Sequence, residues 1–121
     1  MKRIVFYTDE KGICDIYNYL KVLELKNDKD ANINASKIYS YIEVLSSYGV
    51  SVGMPIVRHL TGKIWELRPL IHRILFFENK DSYVLLHHFI KDTNKTPNRE
   101  IEKAKSKMND YLERFENETK Q

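Results

Sequence analysis

The sequence contains a single cysteine, Cys14. It leaves no partner for an internal disulfide and no cysteine set for a metal site, so a reducing, cytoplasmic setting is expected. Glycine and proline are also scarce, four and three residues among 121, which excludes collagen-like repeats and Gly/Pro-rich linkers. No internal repeat or low-complexity tract is present. No apolar run approaches the roughly 18 residues a membrane span needs. The opening Met1-Lys2-Arg3-Ile4-Val5-Phe6-Tyr7 reaches charge at Asp9. It is too short for the hydrophobic region of a signal peptide and has no small-residue cleavage site, so a first β-strand is predicted there. The length suits one domain covering residues 1–121, with no membrane involvement.

Charge is present and uneven. Eight Lys/Arg and four Asp/Glu lie between Arg58 and Arg99, whereas the rest of the chain carries twelve basic and thirteen acidic residues. All four histidines, His59, His72, His87 and His88, fall in the same window. A localised basic field suits a polyanion such as RNA, although a solvated charged face has the same composition.

Hydrophobic period divides the chain into elements. After the first strand, Asp9 is placed to cap a helix carrying Ile13, Ile16, Tyr17, Leu20 and Leu23 at helical spacing, with Cys14 packed in it. The polar stretch 26–30 ends it. A second helix follows, with Ala35, Ile38, Tyr41, Ile42, Leu45 and Tyr48 on one side and Gly49 as its stop. The two helices are predicted to form a hairpin. The period then shortens to that of strands over Ile64 to Leu67, Arg73 to Phe77 and Tyr83 to Ile90, with Val57 to Leu60 as a further edge strand. Thr96-Pro97 reads as an N-cap and first helical position for a last helix, whose inner side is Ile101, Ala104, Met108, Tyr111, Leu112 and Phe115. The resulting fold class is α+β: an N-terminal strand, a two-helix hairpin, a three- to four-stranded, mostly antiparallel sheet and a C-terminal helix, with the helices on one face.

Strand residues alternate faces. One set is Trp65, Leu67, Ile74, Phe76, Val84, Leu86, His88 and Ile90. The other is Ile64, Glu66, Arg68, Arg73, Leu75, Phe77, Tyr83, Leu85, His87, Phe89 and Lys91. Symmetric closure of the two turns predicts Arg68 opposite Arg73, Phe77 opposite Tyr83 and Arg73 opposite His87, a polar row with Lys91 further along. Like charges placed opposite one another need compensation. A phosphate clamped by two guanidinium forks supplies it; so does Glu66 paired with Arg68, which would make the arrangement structural. Both alternatives stand at this point.

The blocks Leu60-Thr61-Gly62-Lys63-Ile64-Trp65-Glu66-Leu67-Arg68, Arg73-Ile74-Leu75-Phe76-Phe77, Leu85-Leu86-His87-His88-Phe89-Ile90-Lys91 and Lys95-Thr96-Pro97 resemble the phage-derived HigB-like branch of the RelE/ParE toxin superfamily. The order of elements matches over nearly the whole chain. The resemblance implies a RelE-like fold and the toxin of a type II toxin–antitoxin system. It implies an endoribonuclease that cuts mRNA, usually on the ribosome, and inhibits translation. It also implies a HigA-like helix-turn-helix antitoxin and a heterotetrameric complex. Two positions depart from the family pattern: His88 stands where a small residue is usual, and Asp92 where a second lysine is usual.

Metal-free RNA cleavage requires a base or polarising group at the 2′-OH, charge on the phosphorane to be stabilised, and a proton for the 5′-oxygen. With no cofactor and no metal expected, the roles assigned are Arg68 and Arg73 as the phosphate clamp and His87 as base. Lys91 supplies charge and the leaving-group proton. Lys63 and Lys95 hold flanking phosphates, and Tyr83 or Phe89 stacks a base. On this reading Arg73→Ala abolishes toxicity and leaves the fold intact. The plainer alternatives are a structural strand histidine and ordinary sheet packing by Tyr83 and Phe89. A ParE-like gyrase-binding toxin that performs no chemistry and a plain RNA-binding module are the competing functions.

Overall fold

The computed structural model describes residues 1–119. A five-stranded sheet runs in the order β1-β5-β4-β3-β2, where β1 is Arg3–Phe6, β2 Val57–Thr61, β3 Ile64–Leu67, β4 His72–Asn79 and β5 Ser82–Ile90. The strands β2 to β5 pair antiparallel, and β1 adds parallel to β5 with Arg3 beside Ser82. The expected N-terminal strand and four later strands are present, and the N-terminal strand joins the others to make a mixed sheet of five.

Helices α1 (Asp15–Lys26) and α2 (Lys29–Tyr48) are separated by only Asn27 and Asp28. Asn27 sits in the left-handed region at φ 48° and closes α1, while the Asp28 carboxylate accepts from the Ala31 N–H at 2.7 Å and opens α2. The expected hairpin is present, though α1 starts later than Asp9. The Asp9 carboxylate instead accepts from the N–H groups of Lys11 and Ile13 in a local turn. Cys14 is the cap residue at the start of α1, half-buried and packed against the core beneath α1 and α2. Gly49 ends α2 at φ 71°. Any side chain there is doubly excluded, since a Cβ would lie 2.8 Å from the Tyr83 hydroxyl.

Helix α3 (Asn98–Thr119) corrects the expectation of helices on one face. Ile16, Leu20, Ile38, Ile42 and Leu45 of α1 and α2 pack with Leu67, Ile74, Phe76, Tyr83 and Leu85. On the opposite face, Ala104 and Tyr111 of α3 pack with Ile64, Leu75, Phe77, Val84 and Leu86. The sheet is thus the middle of three layers. Burial on both sides explains why β4 and β5 read as near-continuous apolar runs.

Two local features reset the β4–β5 register. The hairpin turns through Lys80 and Asp81 alone, with Asn79 opposite Ser82 and Lys80 at φ 57°. This shifts the pairing by one residue from the symmetric expectation. Leu86 then forms a bulge, since Phe76 faces Leu85 and Leu75 faces His87; the bulge shifts it by one more. Before the bulge, Tyr83 and Leu85 change faces relative to the prediction. Beyond it the two shifts restore parity, so His87 and Phe89 share a face with Arg73, and Arg73 lies opposite Phe89 rather than His87.

Candidate functional site

At the end of the sheet where β3 finishes and β4 begins, three guanidiniums surround one carboxylate. Glu66 is 0 % exposed. Its Oε1 lies 3.2 Å from Arg58 Nη2, 3.4 Å from Arg68 Nη1 and 3.9 Å from Arg73 Nε. The Thr96 hydroxyl donates to Glu66 Oε2 and accepts from Arg58 Nη2 at 3.0 Å. This occupies the hydroxyl that was expected to cap α3, and the helix starts at Asn98 instead. One negative charge meets three positive ones, so the cluster keeps a net charge of two positive in a partly desolvated setting.

The three arginines are not equivalent. The Arg73 side chain is 6 % exposed and donates through Nη1 to the carbonyls of Leu70 at 2.9 Å and His72 at 2.7 Å. Burial, followed by the charge of Arg68, pulls its pKa below the ordinary arginine range, with Glu66 opposing. Arg68 and Arg58 keep 14 % and 34 % of their side chains accessible, and Arg58 Nε is buried with no hydrogen-bond partner. Arg58 was missed at the level of sequence. Its signal was the Thr61–Gly62 turn: closing β2 on β3 about Gly62 sets Arg58 opposite Glu66, as observed.

Lys91 and Lys95 join this end. The Lys91 N–H donates to the Ile71 carbonyl just before β4, and its Nζ reaches Asn94 Oδ1 at 3.5 Å. Lys95 is exposed beside Thr96. Phe89, half-buried, faces Arg73 across the pair. Two assigned RNA contacts are not brought in. Lys63 is exposed in the β2–β3 turn, five residues from Arg68 and so about 17 Å away along the strand. Tyr83 is buried on the α1–α2 face, edge-on to Phe76 with centroids 5.6 Å apart, and its hydroxyl accepts from the Val50 N–H at 3.3 Å. No base can stack on it there.

His87 lies on the arginine face, one row inward and opposite Leu75. It is 7 % exposed, and α3 covers it. Its Nε2 is 3.2 Å from Glu100 Oε2, and its Nδ1 is 3.1 Å from Lys107 Nζ. Burial, then the Lys107 charge, lowers its pKa from the ordinary histidine value, opposed by Glu100. Arg68, Arg73, His87 and Lys91 therefore share one end and one face of the sheet, yet Arg73 and His87 are enclosed and engaged with the acids Glu66 and Glu100.

The unusual histidine, His88, points to the opposite face and is accounted for there. Its Nε2 is 3.2 Å from Nδ1 of the fully buried His72, whose Nε2 is 3.0 Å from Asn34 Oδ1. The Tyr19 ring stacks on His88 at 4.3 Å. Burial first, then the His72 charge, pushes the His88 pKa down to about 4. The unfolded chain, titrating near ~6.5, then binds more protons, so stability falls as pH drops from about 6.5 toward 4, by up to about 3 kcal/mol. Urea midpoints between pH 7 and pH 4 should show this loss, and His88→Gln should flatten it. An unchanged acid limb in that variant would reject His88 as the cause.

Among the described residues, no group of three or more His, Cys, Asp or Glu stands where it would hold a metal. No described helix is long and apolar enough to cross a membrane.

A strand, a helical hairpin, a mixed sheet and a closing helix make an α+β architecture consistent with a RelE-like fold, here with a cationic sheet end. The chain belongs to the phage-derived protein Gp49-like family (DUF891), whose model matches residues 18–109. That family is associated with toxins of toxin–antitoxin systems. No curated protein matches the chain.

Proposed function

We propose that the protein is the toxin of a type II pair, a metal-independent endoribonuclease that cuts mRNA on the ribosome and is held inactive by a helix-turn-helix antitoxin. The observation that carries this reading is the cluster of Arg58, Arg68 and Arg73 around the single buried carboxylate of Glu66. An excess of guanidinium over carboxylate favours a further anion, and a phosphodiester has the geometry to accept two forks.

In this reading Arg68 and Arg58, the accessible members, receive the phosphate and stabilise the charge that builds on the phosphorane. Arg73 is the internal member, tied to two carbonyls and fixing the others. Lys91 and Lys95 extend the cationic track toward neighbouring phosphates and supply a proton donor for the leaving oxygen. For His87 to take the 2′-OH proton, it must first release Lys107, the group that covers its Nδ1. The purified protein is expected to fragment mRNA in a reconstituted translation extract, read by primer extension. Intact transcripts at equimolar protein would reject the nuclease reading.

The enclosure of His87 favours a second reading, a toxin that acts by binding alone. Expression then arrests growth with transcripts intact, and induction of the DNA-damage response identifies a gyrase target.

A further inference from the structure

His87, on β5, is held by a chain of four charged groups drawn from α1 and α3. Asp15, in the first turn of α1, lies 2.9 Å from Lys107 Nζ of α3. The same ammonium reaches His87 Nδ1 at 3.1 Å. Across the ring, Nε2 meets Glu100 Oε2 at 3.2 Å, and Glu100 Oε1 meets Lys103 Nζ at 3.5 Å. An ammonium only donates, so the nitrogen it faces must present a bare lone pair. A carboxylate only accepts, so the nitrogen it faces must carry the proton. The two neighbours together define one state of the ring: neutral, protonated at Nε2 and bare at Nδ1.

We propose that Lys107, anchored by Asp15, is a positioning residue that fixes His87 as the neutral Nε2–H tautomer and keeps its Nδ1 lone pair unprotonated. The inference deepens the nuclease reading and rests on it for its catalytic meaning. A base must enter the reaction without its proton, and Lys107 is the group that keeps it so. The ion pair with Asp15 also gives Lys107 a partner to retain when it leaves the ring, so the lone pair is exposed without stranding the ammonium.

The other groups around His87 do not produce this state. Glu100 alone favours the charged imidazolium, as its hydrogen bond and charge raise the ring's proton affinity. Lys103 opposes it, but meets Glu100 and not the ring. From β4 the residue opposite is Leu75, which carries no charge. His88 points to the other face. Burial is the largest cause of the lowered proton affinity and Lys107 the next, so Lys107 is the charged neighbour whose loss shifts the balance toward Glu100.

The test uses the full chain and nitrogen NMR of the histidine rings. In the wild type, His87 should show a protonated Nε2 and a bare Nδ1 across the neutral range; the opposite tautomer or an imidazolium overturns the proposal without any variant. Lys107→Met should raise the His87 midpoint by about one pH unit or more, whereas Lys107→Arg, which keeps both donor and charge, should leave it near the wild-type value. A midpoint unmoved by Lys107→Met also overturns it. In RNA cleavage, Lys107→Met should move the ascending limb of the pH–rate profile to higher pH by the same amount. If the wild type cleaves no RNA, the nuclease reading fails while the ring measurements still decide the role of Lys107.

Discussion

Arg68→Ala should lower RNA cleavage and cellular toxicity by about 100- to 1000-fold, the range found when one preorganised donor to a developing charge is removed, with little loss of stability. Arg68 contacts Glu66 at 3.4 Å but is partly open to solvent, and its removal leaves Arg58 and Arg73 to neutralise the carboxylate. A thermal midpoint within a few degrees of the wild type, from a change of about 1 kcal/mol, is expected. Arg73→Ala should behave differently. It removes an enclosed guanidinium with two carbonyl partners and a carboxylate neighbour, at a cost of about 3–5 kcal/mol. The sequence-based expectation that Arg73→Ala spares the fold is therefore revised, and Arg68 becomes the cleaner probe. Full toxicity in soluble, folded Arg68→Ala would dismiss the phosphate site.

The second large effect belongs to Glu66→Gln. The substitution keeps the shape and an acceptor for Thr96, but leaves three guanidiniums facing one another without their counter-charge. Breaking such a buried arrangement costs about 3–5 kcal/mol, and for a domain of this size the melting midpoint should fall by about 10–20 °C. Millimolar phosphate should recover part of that fall, because the uncompensated cluster gains anion affinity. The same addition should move the wild type less. A variant as stable as the wild type would mean that the guanidiniums are held by their other contacts alone.

Much of this architecture is legible in the sequence. The Gly49 stop, the helical hairpin and the strand positions follow from period and turn chemistry. The third layer was also written in the sequence, in Ile74-Leu75-Phe76-Phe77 and Val84-Leu85-Leu86, since a strand with a wet face does not carry such runs. What parity could not supply was the bulge at Leu86. A bulge leaves no local signature among three apolar residues, yet it returns His87 to the face of Arg73 and decides the partner of Arg73, while the tight Lys80–Asp81 turn decides the face of Tyr83. The site was legible as a set of cations and less so as a set of pairs. Arg58 and Thr96 lie 8 and 30 residues from Glu66, and Glu100 and Lys107 lie 13 and 20 residues from His87, and only β2 closure about Gly62 offered a rule for finding one of them.

The placement of β1 has a consequence for how the chain is made. Among the described residues its one strand neighbour is β5, with Arg3 beside Ser82, so the Arg3–Phe6 segment has no sheet edge to join until about eighty further residues have been synthesised. Closing so long a loop is a slow, non-local event, and α3 is translated later still. A nascent chain interrupted anywhere before β5 lacks both the strand that completes the sheet and the loop bearing Lys91, Lys95 and Thr96. The cationic end of the sheet is therefore assembled only once β5 and the segment that follows it have been made.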